Sequence, residues 1–351
     1  MKNVMVTGGA GFIGSNFILY ELKKDSDVRI INVDKLTYAG NLENLREVEN
    51  NPRYHFHQVD ICDAEAIQKL FKEYDIDTVI NFAAESHVDR SIKDPMVFVR
   101  TNVLGTATLL NAAKTAWETE DGGFKEGVRF LQVSTDEVYG SLGPEGFFTE
   151  DTPLDPHSPY SASKASADLI AKSYYDTYKM PVNITRCSNN YGPYQFPEKL
   201  IPLMINNCLN HRSLPVYGDG LQIRDWLYVE DHCKAIDMVV RDGVPGQVYN
   251  IGGHNERTNL FIVHSIIDYV HENQDETVNE DLIQHVEDRK GHDRRYGIDP
   301  QKIKDALGWY PETPFEKGIV ETIDWYLSHG DWVNNVVSGD YQKYYETMYN
   351  K

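Results

Sequence analysis

The sequence predicts an α/β protein in which a doubly wound parallel sheet carries helices on both faces and a smaller mixed α/β lobe is attached. Three observations predict this. Short β-branched or apolar runs alternate with helical-period stretches through the first half, a glycine-rich turn joins the first run to the first helix, and the texture becomes turn-rich after Asn189. Repeated β-then-α order demands right-handed crossovers, which cover both faces of a parallel sheet. With 351 residues the chain exceeds one average domain, leaving material for the second lobe.

Runs at 4–7, 29–33, 54–58, 78–82 and 129–134 read as buried strands, each bounded by polar or glycine-containing turns. Helical periodicity occupies 12–24, 64–74 and 97–118 between them. A further helix at 161–178 precedes strands near 182–186 and 248–251. Beyond Asn189 the chain is punctuated by Tyr191-Gly192-Pro193, Pro197, Pro202, Pro215 and Gly218-Asp219-Gly220. Segments of about 190–220 and 253–315 form the smaller lobe, and 222–252 returns to the sheet. The expected division is therefore 1–190 plus 222–252 as the sheet domain, with 191–351 mainly the second lobe. The acidic 274–281 stretch reads as a solvated loop or helix end, and there is no internal repeat.

Composition narrows the function. Apolar residues at 41% and charged residues at 25% are ordinary for a soluble globular protein. A net charge of −20 argues against nucleic acid, which needs a basic face, but a small anionic ligand needs only a few placed cations. Cys62, Cys187, Cys208 and Cys233 stand far apart with no CxxC pair, so neither a disulfide framework nor a metal site is expected. No apolar run approaches the roughly 20 residues that span a bilayer. The chain enters a fold motif directly, without room for a signal peptide, and a reducing cytoplasm is the expected home.

Gly8-Gly9-Ala10-Gly11-Phe12-Ile13-Gly14 follows a strand and opens a helix. In such a turn Gly8 reverses the chain, Gly11 lets the backbone approach a pyrophosphate, and Gly14 lets the helix pack on the sheet. The helix N-terminus offers N–H groups and a positive dipole end to the phosphates. Asp34 ends the second strand, where a carboxylate binds a ribose 2′-hydroxyl and repels a 2′-phosphate. A glycine-rich turn without a ligand is the bland alternative. Strand, helix and acid together favour a Rossmann-type sheet binding NAD rather than NADP. Asp60 and Ile61 after the third strand, and Ala83 and Ala84 after the fourth, stand where ligands sit in open α/β sheets.

Tyr160 and Lys164 are one helical turn apart, with Cβ atoms roughly 5–6 Å from each other. A tyrosine ordinarily titrates near pKa ~10, too high for a base at neutral pH. A nearby ammonium and a positive nicotinamide ring would both lower it, so Tyr160 would accept a proton from a hydroxyl whose carbon gives hydride to NAD. YxxxK alone is common by chance. Downstream of the fingerprint and of Ser134-Thr135 it is informative.

With these features the chain resembles the extended short-chain dehydrogenase/reductase family. Its Thr135-Asp136-Glu137 run is similar to that of the dTDP-glucose 4,6-dehydratases within it. So are Asp34-Lys-Leu-Thr-Tyr-Ala-Gly40, Ala83-Ala-Glu-Ser-His-Val-Asp-Arg90, Cys187-Ser-Asn-Asn-Tyr-Gly-Pro193, Phe196-Pro-Glu-Lys-Leu200, Ile223-Arg-Asp-Trp-Leu-Tyr-Val-Glu-Asp231 and Asn250-Ile-Gly-Gly-His254, together spanning residue 4 to about 326. The resemblance implies conversion of dTDP-D-glucose to dTDP-4-keto-6-deoxy-D-glucose and water. C4 is oxidised, which acidifies C5; the C5 proton and C6 hydroxyl then leave, and hydride returns to C6 with a proton to C5. It implies Glu137 as base, Asp136 as acid, and Thr135 hydrogen-bonded near the sugar O4. Adjacent carboxylates repel, so one keeps its proton. Consecutive strand residues face opposite ways, so the reading requires a short helical turn at 136–139.

The resemblance further implies that Phe12, Ile13, Lys35, Thr37, Ser86, Thr101 and Asn190 join the glycines, Asp34, Asp60, Ile61, Ala83, Ala84, Tyr160 and Lys164 around NAD. Ser86, Thr135, Asn189, Lys199, Leu200, Pro215, Val216, Tyr217, Arg224, Asn259, Asp288, Arg289 and His292 would line the sugar-nucleotide pocket, with Tyr217 placed to stack on the base. His87 is read as a structural hydrogen-bonder, and Arg294 and Arg295 as surface or ion-paired charges. Lys290 stands where the family often has proline. Helices 97–118 and 161–178 would pair across a homodimer as a four-helix core. The nearest rival is another sugar-nucleotide enzyme, a 4-epimerase or decarboxylase. These need no acid at C6, so Asp136 discriminates. A non-catalytic NAD-binding regulator is the other class, and the Thr/Tyr/Lys set argues against it.

Overall fold

Seven strands form the central sheet of the computed structural model, which describes residues 1–288 and 292–337. In chain order the strands are β1 (Asn3–Thr7), β2 (Arg29–Asp34), β3 (Tyr54–Gln58), β4 (Thr78–Asn81), β5 (Arg129–Thr135), β6 (Val182–Cys187), β7 (Asn189–Tyr191), β8 (Leu214–Tyr217), β9 (Ile223–Tyr228), β10 (Val248–Ile251), β11 (Glu256–Thr258) and β12 (Ile283–Val286). The helices are α1 (Phe12–Lys24), α2 (Ala64–Tyr74), α3 (Val88–Lys93), α4 (Pro95–Phe98), α5 (Thr106–Trp117), α6 (Pro159–Tyr178), α7 (Leu200–Leu209), α8 (Val229–Asp242), α9 (Asn259–Asn273), α10 (Gln301–Leu307), α11 (Phe315–Ser328) and α12 (Gly330–Val336).

The central sheet is parallel throughout, in the order β10-β6-β5-β4-β1-β2-β3. Its strands are apolar on both faces because both are covered. Val4 and Val6 of β1 pack into one core layer with Phe17 of α1 and Ile236 of α8. Met5, between them, packs into the other with Phe71 of α2 and Leu110 of α5. Strand order reverses between β1 and β4, and the crevice at that switch point is where an α/β sheet binds its ligand.

Two expectations are corrected. The helix expected over 97–118 is composite: α4 passes into a π-helical stretch, Val99–Gly105, and then into α5. Gly105 there lies so close to Ile61 that an added Cβ would sit 2.4 Å from its Cδ1, a contact apolar spacing does not encode. Within 222–252, only α8 and β10 belong with the central sheet. β9 pairs instead with β11 and β7 in a three-stranded sheet of the smaller lobe. Its run is buried almost throughout, so it reads like a central strand although its neighbours are elsewhere. That lobe's core gathers Tyr191, Met204, Trp226, Ile266 and Phe315.

A buried cluster pins α1 to α8. Glu21 and Asp237 are buried beside Arg241 and Lys24, and Arg241 also pairs with Asp25. Burial first, then Asp237, pushes the Glu21 carboxyl up to about 8 from 4.5. A raised folded value means that the stabilising neutral form is lost as pH rises through about 8. Glu21→Gln is expected to flatten the fall of Tm with rising pH across that window. A fall as steep as in the parent would exclude Glu21 as its source.

Candidate active site

The glycine turn has the geometry a dinucleotide requires. Gly8 has φ +67°, and a Cβ there would lie 2.7 Å from the Ala83 nitrogen. A Cβ on Gly14 would lie 2.4 Å from the Gly8 carbonyl oxygen. No side chain caps α1, so its first-turn N–H groups face the cleft. Asp34 accepts from the Ala10 N–H at 3.0 Å and from the Leu36 N–H at 2.8 Å, which orients its carboxylate at the end of β2. Burial raises its pKa against those two bonds. Lys35 pairs with Asp60 at 2.8 Å on the adjoining wall. The cleft has a volume of about 310 Å³, and every residue expected around the dinucleotide, from Gly8 to Asn190, lies on its wall. A glycine cradle with no room for a Cβ and a carboxylate at the ribose position fit NAD.

At the inner end, β5 stops at Thr135, which caps a 3₁₀ turn over Asp136–Tyr139 by accepting from the Glu137 N–H at 3.2 Å. The chain leaves the strand where two adjacent acids must serve one site. Asp136 is 1% exposed, and its Oδ2 has no hydrogen-bond partner among the described residues. Burial first, then Glu137 and Asp225, hold its carboxyl well above the usual range, with Arg224 opposing. The raised direction favours the protonated form of Asp136.

Tyr160 and Lys164 sit at the start of α6, which opens with a Ser158/Ser161 capping box and Pro159 in its first turn. Both are buried against Thr135 and Cys187 on the cleft wall. The expected lowering of the Tyr160 phenol invokes the charge of a nicotinamide ring; the chain's own groups act the other way. Burial first, then Glu137 and Cys187, push it well above its ordinary value, against a hydrogen bond to Thr135. The Lys164 ammonium donates to the Val133 carbonyl at 2.7 Å, and burial lowers its pKa. Behind the pair, Asp168 accepts from Arg186 Nε at 2.9 Å, Arg186 donates to the Tyr139 hydroxyl at 2.9 Å, and Tyr139 donates to Asn250 Oδ1 at 2.8 Å. These buried bonds fix the 3₁₀ turn against α6.

A second cavity of about 160 Å³ adjoins the first, and Ser86, Glu137, Asn189, Asn190 and Lys199 border both. Its wall includes Leu200, Pro215, Val216, Tyr217, Arg224, Asn259 and His292. Thr135 lies on the first cavity only. The exposed Asp288 carboxylate, beside this wall, is engaged by His292 Nδ1 at 2.6 Å and Gln222 Nε2 at 3.0 Å. Arg289 and Lys290 lie outside the described residues. Arg224 donates to the Ile223 and Asp293 carbonyls and lies 4.2 Å over the Tyr296 ring. Arg294 and Arg295 are ion-paired with Asp219 and Glu256. His87 is buried beside Asp89 and Glu198. Sequence reasoning missed Glu198, Gln195 and Tyr296 as wall residues. Glu198 lies inside the quoted 196–200 stretch, and its position beside Lys199 was the available signal; Tyr296 has none, since only the fold brings it under Arg224.

The family model described as GDP-mannose 4,6 dehydratase matches residues 5–322. A dTDP-glucose 4,6-dehydratase of Neisseria meningitidis serogroup B is 52% identical over 348 residues, covering 97% of this chain and 98% of that one. The crystal structure of a dTDP-glucose 4,6-dehydratase of Streptomyces venezuelae with NAD bound superposes with a TM-score of 0.88 at 45% identity, over 95% of this chain and 99% of that one. A UDP-glucose 4-epimerase of Thermus thermophilus in complex with NAD reaches a TM-score of 0.81 at 27% identity, over 93% of this chain and 99% of that one. Scaffold alone does not separate the two chemistries; the much higher identity to the dehydratases does. The chain belongs to the nucleotide-sugar 4,6-dehydratase family, among the dTDP-glucose 4,6-dehydratases.

Proposed function

We propose that this chain converts dTDP-D-glucose to dTDP-4-keto-6-deoxy-D-glucose and water with NAD as a recycled cofactor. The observation that carries the reading is the buried Asp136, its carboxyl held up by burial and by Glu137, on a 3₁₀ turn next to Tyr160. NAD, when bound, supplies a cationic nicotinamide ring that takes up and returns hydride. Tyr160 accepts the C4 hydroxyl proton, its phenolate favoured by nearby positive charge, while Thr135 orients the sugar near O4. Glu137 removes the C5 proton made acidic by the C4 ketone and gives a proton back to C5 when hydride returns to C6. Asp136 delivers its proton to the departing C6 hydroxyl. An epimerase has no use for that last group, whose unpartnered Oδ2 is buried at a cost to stability that a catalytic role explains. Lys199, Arg224 and His292 are the groups proposed for the diphosphate and base, with Tyr217 against the pyrimidine. Incubation with dTDP-glucose should yield the 4-keto-6-deoxy product, read by its alkaline absorbance; interconversion with dTDP-galactose instead would contradict the reading.

The division into a sheet domain for NAD and a smaller lobe for the sugar nucleotide belongs to the same proposal, as does residence in a reducing cytoplasm, where Cys62, Cys187, Cys208 and Cys233 stay free. So does a homodimer through a four-helix core. Met96, Val99, Leu104 and Leu169 are 68%, 45%, 53% and 62% exposed on the helical segments 95–105 and 159–178, an apolar face that a second copy would cover. Leu169→Asp is expected to shift the protein to monomer in sedimentation. An unchanged dimer would place the interface elsewhere.

A further inference from the structure

The dinucleotide turn is braced from the far end of the chain. Trp332, in α12, is buried, and its indole Nε1–H donates to Asn44 Oδ1 at 2.8 Å. Asn44 is 2% exposed and donates from Nδ2 to the Ala10 carbonyl at 3.1 Å. Ala10 in turn donates its N–H to Asp34 Oδ2 at 3.0 Å. Three consecutive hydrogen bonds thus run from α12 to the carboxylate placed for the adenine ribose.

The polarity of this relay is fixed. Asn44 offers its oxygen to one neighbour and its nitrogen to the other, so turning the amide over would set donor against donor and acceptor against acceptor. Trp332 is the group that selects the orientation. The indole is itself held by the small lobe's core, with ring centroids 5.2 Å from Trp325, 6.1 Å from Tyr326 and 6.1 Å from Tyr194. On the same helix, Asn335 donates to both Glu43 carboxylate oxygens at 3.0 and 3.1 Å, holding α12 against the segment that carries Asn44. The lobe that carries the sugar-nucleotide cavity therefore also carries the outermost support of the NAD cleft.

We propose that Trp332 and Asn44 are positioning residues for NAD, through which docking of α12 sets the affinity of the glycine turn and Asp34 for the dinucleotide. The proposal rests on the reading that NAD occupies this cleft. Because the relay acts through Ala10 and Asp34, its loss weakens NAD binding while leaving Thr135, Asp136, Glu137, Tyr160 and Lys164 in place.

The test is calorimetric titration of NAD into the cofactor-stripped protein. Trp332→Phe keeps the ring and removes the donor, and it is expected to weaken NAD binding roughly tenfold, the size of one lost buried hydrogen bond. Asn44→Asp keeps the acceptor for Trp332 but not the donor to Ala10, and a loss at least as large is expected. Ile323→Val loosens the same lobe in α11 without touching the relay, and its NAD affinity should match the parent's. Parent-like affinity in Trp332→Phe overturns the proposal, and so does an equal loss in Ile323→Val. A parent protein that binds no NAD at all overturns the underlying reading of the cleft, a result distinct from either.

Discussion

Asp136→Asn is expected to slow water loss by about 10²–10⁴-fold, the usual contribution of a positioned general acid, while C4 oxidation is retained. The two steps separate because they use different groups. In the proposed mechanism oxidation uses Tyr160 and Thr135, whereas cleavage of the C6–oxygen bond needs a proton from a neutral acid. Stopped-flow absorbance should show the reduced cofactor forming on substrate addition and persisting in the variant. Loss of both steps in equal measure would contradict the assignment. Two further readouts follow from burial, Glu137 and Asp225 holding the Asp136 carboxyl well up. Parent turnover should fall as pH rises through that raised value, since the acid must be protonated. Folding must also protonate a group that is ionised in the unfolded chain at neutral pH, a cost to stability that grows with pH above the unfolded value. Asparagine carries no such cost, so Asp136→Asn should melt higher than the parent at neutral pH while turning over less, the trade-off expected where an active site stores strain.

The second large effect is at Tyr160. Tyr160→Phe removes the hydroxyl proposed to accept the C4 proton, and formation of the reduced cofactor should fall by about 10²–10⁴-fold, with every later step starved. Undiminished reduction would remove Tyr160 from its role. In the folded chain burial and Glu137 hold the phenol up, so base function depends on positive charge brought close to the ring. The pH profile of the reduction step should then report a lower Tyr160 value in the NAD-loaded protein than direct titration finds in the cofactor-stripped one. Equal values would mean that the cofactor's charge does not tune the phenol.

What could be read from the sequence was chemistry confined to a few consecutive residues. The turn from Gly8 to Gly14 and the acid at Asp34 state their roles because backbone sterics and charge act locally there. The 3₁₀ turn at Asp136–Tyr139 followed from a stereochemical demand, that two adjacent acids share one site. Features that depend on distant partners were not legible. β9 is a buried strand in sequence, but its pairing with β7 and β11 is decided by the rest of the lobe. The π-helical stretch at Val99–Gly105 preserves an apolar face, so periodicity read it as ordinary helix. Asp288 and Arg224 stood in the expected stretches, but the partners that orient them, His292, Gln222 and the Asp293 carbonyl, are set by the fold. How deeply the Tyr160 phenol is buried, the first cause that holds it up, depends on segments distant in sequence. Trp332 and Asn44 meet across 288 positions, beyond any local signal.

The central claim is that one hydride leaves C4 and returns to C6 of the same sugar, with Asp136 and Glu137 removing water in between. dTDP-glucose deuterated at C4 tests it most directly, with the product read by mass spectrometry and NMR. The account predicts a 4-keto-6-deoxy sugar carrying the deuterium in its C6 methyl group. Deuterium retained at C4 in a sugar that has lost no water, the outcome of an epimerase, would contradict it.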